Sequence, residues 1–172
     1  MAGQRETDKQ IANPHDLFFK EMLSRREVAS HFLARYLPPE IAELLDLTTL
    51  ESSKETFVDS ALRAHYSDML YAVKMRTGAD AYVYMLFEHK SYPDRQIAFQ
   101  LLRYMVRIWE QALRQGKAMA PIFPITVYHG SAPWQVGGQL SDLIHAPAEL
   151  MPYLPDYRYW LFDLSQYSDA DL

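Results

Sequence analysis

Cysteine is absent from all 172 residues, which removes thiolate zinc sites, redox pairs and thiol nucleophiles from consideration. Glycine is scarce, at six residues, and no Walker A, G-x-G-x-x-G or G-x-S-x-G pattern occurs. P-loop ATPases, dinucleotide oxidoreductases and acyl hydrolases therefore lack their usual signatures. The six histidines show no H-x-E, H-x-x-x-H or H-E-x-x-H spacing, so a histidine zinc site has no support. No run approaches the roughly 20 apolar residues that span a bilayer. Met1 to Lys9 is polar and charged, unlike the basic-then-apolar start of a signal peptide. These absences read as a soluble, cytoplasmic protein with no membrane partner. Positive charge is also short, with 17 Lys+Arg against 22 Asp+Glu and a net charge of −5. That argues against a protein that coats nucleic acid indiscriminately, but not against a nuclease, whose groove depends on local charge.

What is present is a chain with 49% hydrophobic residues, of a length that buries about 70% of its unfolded surface. Residues 1–12 read as a flexible N-terminal arm, being charged and without periodicity. Residues 13–172 read as one domain. Asn13-Pro14 is an N-cap followed by proline at the first helical position, and apolar residues from Leu17 to Tyr36 recur near helical spacing up to Pro38-Pro39. A short helix starts on Pro39. Thr48 to Leu50 and Thr56 to Val58 are strand-like. Tyr66 to Met75 alternates, with Met69, Tyr71, Val73 and Met75 on one face. Thr77 to Asp80 is a turn, and the almost wholly apolar Ala81 to Phe87 reads as a central strand buried on both faces. Gln96 to Gln115 is a helix closed by Gly116, Pro124 to Tyr128 a short strand, and Tyr157 to Leu164 a further strand. The abrupt acidic end suggests the N-terminal part of a longer protein.

The chemistry gathers where the apolar strand ends. Glu88 and Lys90 sit two apart in Phe87-Glu88-His89-Lys90, so strand alternation points both to one face, about 6.6 Å apart. Counted outward from a turn centred on residues 78–79, Asp68 and Glu88 lie at nearly equal offsets on the two hairpin strands. Two carboxylates on adjacent strand ends can hold Mg²⁺, with Mn²⁺ or Ca²⁺ as alternatives. The backbone carbonyl of His89 is a candidate third ligand, and Lys90 would orient a water or stabilise phosphate charge. The bland alternatives are a solvated Glu-x-Lys pair and an Asp68 that merely caps its strand. On the following helix Gln100 and Tyr104 form an i,i+4 pair, as do Arg103 and Arg107, with Arg95 near the helix start. These are candidate DNA contacts, against a partly buried tyrosine with its neighbouring amide and a solvated basic face.

An Asp on one hairpin strand, E-x-K on the next, and a helix carrying Q-x-x-x-Y together resemble the PD-(D/E)XK nuclease superfamily. Within it the chain is most similar to the recombination-promoting nuclease (YhgA-like) family. The matching pieces are His15 to Lys20, Tyr66 to Tyr71, Glu88 to Ser91 with Pro93-Asp94, Leu101 to Met105, and Pro124 to Gly130 followed by Trp134. The resemblance implies an α/β restriction-endonuclease-like core, a mixed central sheet flanked by helices, and metal-dependent DNA cleavage linked to recombination or transposition. By motif, Asp68 and Glu88 resemble metal ligands, Lys90 the catalytic lysine, and Gln100 and Tyr104 the Q-x-x-x-Y element. Many members carry Gln where this chain has Lys90, and members are usually longer. The expected activity is a Mg²⁺-dependent DNA endonuclease, which a homodimer would suit for paired cuts. The alternative is a nuclease-fold module that binds DNA or protein without cutting.

Overall fold

The computed structural model describes residues 21–53, 67–88 and 93–166. Residues 1–20, with the Asn13-Pro14 helix start and the His15 to Lys20 motif, lie outside this set, as do Thr56 to Val58, His89 and Lys90. Among the described residues, five strands form one mixed sheet in the order β1-β2-β3-β4-β5. They are β1 Leu45–Ser52, β2 Ser67–Met75, β3 Asp80–Glu88, β4 Ile122–Tyr128 and β5 Trp160–Asp163. The first three pair antiparallel, and β3, β4 and β5 are parallel. The helices among the described residues that pack on or lead into the sheet include α1 Arg26–Tyr36, α2 Pro39–Ala42 and α3 Ile97–Arg114. This is an α/β fold consistent with a restriction-endonuclease-like core.

Helix α1 stops at Leu37 because Pro38 disfavours helical geometry in the residue before it, and α2 starts with Pro39 in its first turn. The β2–β3 hairpin follows from strand alternation on both sides of a tight turn. Gly78 takes φ +88 there, a left-handed conformation that glycine adopts without a Cβ penalty. Its N–H donates to the Met75 carbonyl at 2.8 Å. The register pairs Lys74 with Asp80 and Asp68 with Leu86, which centres the hairpin on Thr77 rather than on residues 78–79. The equal offset of Asp68 and Glu88 is corrected accordingly. Gly78 closes the turn rather than forming its tip, and Glu88 lies two residues beyond the partner of Asp68.

Period-two alternation sends the sheet's side chains into two cores. Met69, Tyr71, Val73, Val83, Met85 and Phe87 pack with Leu33 and Ala29 of α1. Leu70, Tyr84 and Leu86 pack with Leu101, Tyr104 and Ile108 of α3. The sheet is thus the middle of three layers, and α3 is the crossover that parallel pairing of β3 with β4 requires. As expected, β3 is the central strand, and Val83 to Phe87 are all buried. At the edge, Phe162 of β5 packs its ring 4.9 Å from Phe32 and 4.9 Å from Tyr36. No helix among the described residues is long and apolar enough to cross a membrane.

Candidate active site

Because β2 runs opposite to β3, its first residues lie beside the last residues of β3. The parallel strands β3, β4 and β5 finish on that same edge, with Glu88 paired to Tyr128 and Tyr128 to Asp163. In open α/β sheets the crevice at the carboxyl ends of parallel strands is the common place for ligands.

Asp68 is half-buried on this edge. Its Oδ2 accepts a hydrogen bond from the Tyr84 hydroxyl at 3.1 Å. Tyr84 is only 2% exposed, and its ring lies 5.3 Å from that of Tyr104, tilted by 34°. Burial, reinforced by the Asp68 charge, pushes the Tyr84 phenol well above its ordinary range. The hydroxyl therefore stays protonated and remains a donor. A buried chain of contacts thus runs from α3 through Tyr104 and Tyr84 to a carboxylate at the sheet edge. The backbone of Glu88 ends β3 two residues past Leu86. It is therefore a diagonal neighbour of Asp68, at about 7–8 Å between backbones. Lys90 and His89 lie outside the described residues.

On α3 the sequence-predicted residues separate. Gln100 is half-buried, and its Nε2 donates to Asp94 Oδ2 at 3.2 Å. The other oxygen of Asp94 accepts the Gln96 backbone N–H at 2.9 Å, so Gln100 braces the carboxylate that satisfies a donor at the helix start. Tyr104 is a core residue at 2% exposure. Arg103 and Arg95 are exposed, while Arg107 is half-buried. Asp163 is buried too, but it accepts from the Ser165 N–H and hydroxyl and from Gln166, which accounts for it as the anchor of the turn after β5.

Among the described residues no three His, Asp or Glu side chains converge as a metal cage. The donor chemistry of Asp68 and Glu88 is oxygen only, the kind that hard cations take while keeping water or substrate oxygens as further ligands.

The family profile described as "Putative transposase, YhgA-like" matches residues 13–172. The chain belongs to this family. It is 34% identical over 167 residues to the recombination-promoting nuclease RpnC of Escherichia coli strain K12, across 96% of this chain and 55% of that protein. It is 36% identical over 135 residues to the recombination-promoting nuclease RpnD of Escherichia coli O157:H7, across 76% of this chain and 52% of that protein. A third relative, the inactive recombination-promoting nuclease-like protein RpnE of strain K12, is 34% identical over 168 residues, across 96% of this chain and 56% of its own. The chain spans about half the length of these curated relatives. No solved structure matches it.

For this YhgA-like chain, sequence reasoning missed Tyr84. The signal was parity: 84 precedes 86, the cross-strand partner of Asp68, by two in β3, so a tyrosine at 84 shares the face of Asp68. Gly130 lies so close to Tyr128 that a Cβ there would stand 2.0 Å from the phenol oxygen. The Tyr128 hydroxyl in turn donates to the Ala132 carbonyl at 2.7 Å, tying down the segment that leaves β4.

Proposed function

We propose that this chain cleaves DNA phosphodiester bonds as a Mg²⁺-dependent endonuclease in the service of recombination. The observation that carries the reading is the register of the β2–β3 hairpin, which sets Asp68 diagonally beside Glu88 where parallel strands end. The printed names of RpnC and RpnD, recombination-promoting nucleases, support it.

Asp68 and Glu88 would hold the cation with one carboxylate each. When bound, Mg²⁺ supplies Lewis-acid polarisation of the phosphodiester and a more acidic water. Tyr84 keeps one Asp68 oxygen fixed, so the carboxylate does not reorient during turnover. Lys90, two positions beyond Glu88 in sequence, brings positive charge to the phosphate as charge develops there. Gln100 and Tyr104 act from behind as positioning residues, the first on the lead-in to α3 and the second on Tyr84. Arg107 and Arg95 are the candidates for backbone phosphate contacts.

A second reading, a nuclease-fold module that binds without cutting, draws on the naming of RpnE as inactive. The presence of Asp68, Glu88 and Lys90 together in this chain favours the enzyme. The deciding experiment is nicking of supercoiled plasmid with Mg²⁺, with EDTA, and with the Asp68→Ala and Glu88→Ala variants. Cutting that needs Mg²⁺ and vanishes in both variants is expected. Retention of plasmid without cutting would favour the binding module.

A further inference from the structure

Helix α3 is apolar over more of its surface than its packing uses. Its buried stripe is Ile97, Ala98, Leu101, Tyr104, Met105, Ile108 and Ala112. Beside that stripe a second apolar row runs along the solvent side. Phe99, Val106 and Leu113 are 50%, 41% and 56% exposed, and they fall seven residues apart. Leu102 and Trp109 lie between them, half-buried because one side of each packs on the chain's own core while the other borders the row. Read as a heptad, Phe99, Leu102, Val106, Trp109 and Leu113 occupy a, d, a, d and a. This is the seam by which one helix packs against another. Solvated helices do not ordinarily keep such a row. Trp109 is tied back by its Nε1, which donates to the Ala120 carbonyl at 2.7 Å, so the seam is not a set of loosely dangling side chains.

The charges along the seam say what covers it. In this frame the e positions are Arg103 and Glu110, both exposed. The g positions are Ala98, Met105 and Ala112, which are buried in the chain's own core. A parallel partner would need g-to-e' pairs, and the g side has nothing to offer. An antiparallel partner pairs e with e'. With a two-fold axis beside Val106, Arg103 of each helix comes within about one residue's rise (~1.5 Å) of Glu110 of the other, twice, with opposite signs. A surface that complements itself under a two-fold is the mark of an isologous contact.

We propose that α3 is a homodimer interface, with two copies of the chain packing their α3 helices antiparallel about Val106. The seam covers about four turns, so the contact sits at the small end of stable interfaces and a dissociation constant of about 1–100 µM is expected. The proposal is independent of the nuclease reading, because its test uses no DNA and no metal.

The absence of cysteine makes the test direct, since any introduced thiol is the only one in the chain. Val106→Cys should form a disulfide-linked dimer under mild oxidation. Phe99→Cys alone should not, because antiparallel packing separates the two copies of position 99 by about 21 Å along the axis. A mixture of Phe99→Cys with Leu113→Cys chains should cross-link. In sedimentation equilibrium, Val106→Glu should be monomeric at about 100 µM with an unchanged circular dichroism spectrum. Arg103→Glu should weaken the wild-type dimer by about threefold to tenfold, and adding Glu110→Arg to it should restore the dimer. A wild-type chain that stays monomeric up to about 500 µM, or Phe99→Cys that links to itself as readily as Val106→Cys, overturns the proposal.

Discussion

Replacing Tyr84 by Phe removes one oxygen and leaves the ring against Tyr104, so it isolates what the hydroxyl does for Asp68. If Tyr84 fixes a metal-holding carboxylate, Tyr84→Phe should lower the cleavage rate by about 10- to 100-fold. It should cost only about 1 kcal/mol of stability. A single-turnover nicking assay beside a urea melt separates the two, and a variant that cuts like the wild type removes Tyr84 from the site. Gly130→Ala tests the opposite kind of residue, one whose role is to be small. Its Cβ would meet a Tyr128 ring that is fully buried and cannot swing away. The expected cost is about 1–3 kcal/mol, while Gly138→Ala, with nothing within 4 Å of the added carbon, should change little. At this scale the placement of Asp68 opposite the end of β3 was legible in the sequence, because a hairpin brings the start of one strand beside the end of the next. The register was off, with Leu86 rather than Glu88 facing Asp68. Tyr84 was hidden for a physical reason: a phenol in an apolar strand looks like core until the cross-strand partner that receives its proton is known.

Among the elements, β1 is the one whose geometry depends most on single side chains. Asp46 pairs with Lys74 and Glu51 with Ala72, so five steps along β1 span two along β2 and the strand must bulge. Thr49 fills the gap in the ladder. Its hydroxyl accepts the Lys74 backbone N–H at 2.8 Å and donates to the Asp46 carbonyl at 2.7 Å. Thr49→Val keeps the β-branched shape and removes both bonds. It should destabilise by about 1–2 kcal/mol, a fall of about 2–8 °C in Tm for a chain of this size, without altering plasmid cleavage. No loss of Tm would mean that the bulge does not need the hydroxyl. The helix α3 and the hairpin were readable from periodicity and from Gly116 and Gly78, because each is decided within a few residues. The bulge was not, since it records how two strands of unequal local length are matched. The row of a and d residues on α3 was also in the sequence, but the long apolar face concealed it until burial divided one stripe from the other.

Across the whole molecule the parallel placement of β4 and β5 beside β3 could not be read from local pattern, since order in sequence leaves pairing partners open. The packing that results buries phenols. Of 12 tyrosines, Tyr71, Tyr84, Tyr157 and Tyr159 are held above their ordinary pKa, each chiefly by desolvation. Tyr71 also donates to the Leu23 carbonyl at 2.8 Å, and Tyr159 to the Gly137 carbonyl at 2.7 Å. A phenol with a raised pKa binds its proton more tightly folded than unfolded. Its contribution is therefore complete below about pH 10 and is lost as pH rises through the folded value, which for Tyr159 is about 12. Above pH 10 each such tyrosine should lower stability by up to about 1.4 kcal/mol per pH unit. Tyr71 and Tyr84, the two most deeply buried of these, together approach about 3 kcal/mol per unit, with a smaller, solvent-screened share from Tyr157 and Tyr159. That is enough to bring a domain of ordinary stability close to unfolding near about pH 12. Urea midpoints from pH 8 to 11.5, followed with tyrosinate absorbance, should stay level to about pH 10 and then fall steeply, with a block of phenols ionising only as the chain unfolds. Tyr71→Phe should make that fall shallower by about one tyrosine's share. If all phenols titrate near pH 10 while the midpoint holds, the three-layer packing around Tyr71 and Tyr84 does not shield them from water as described.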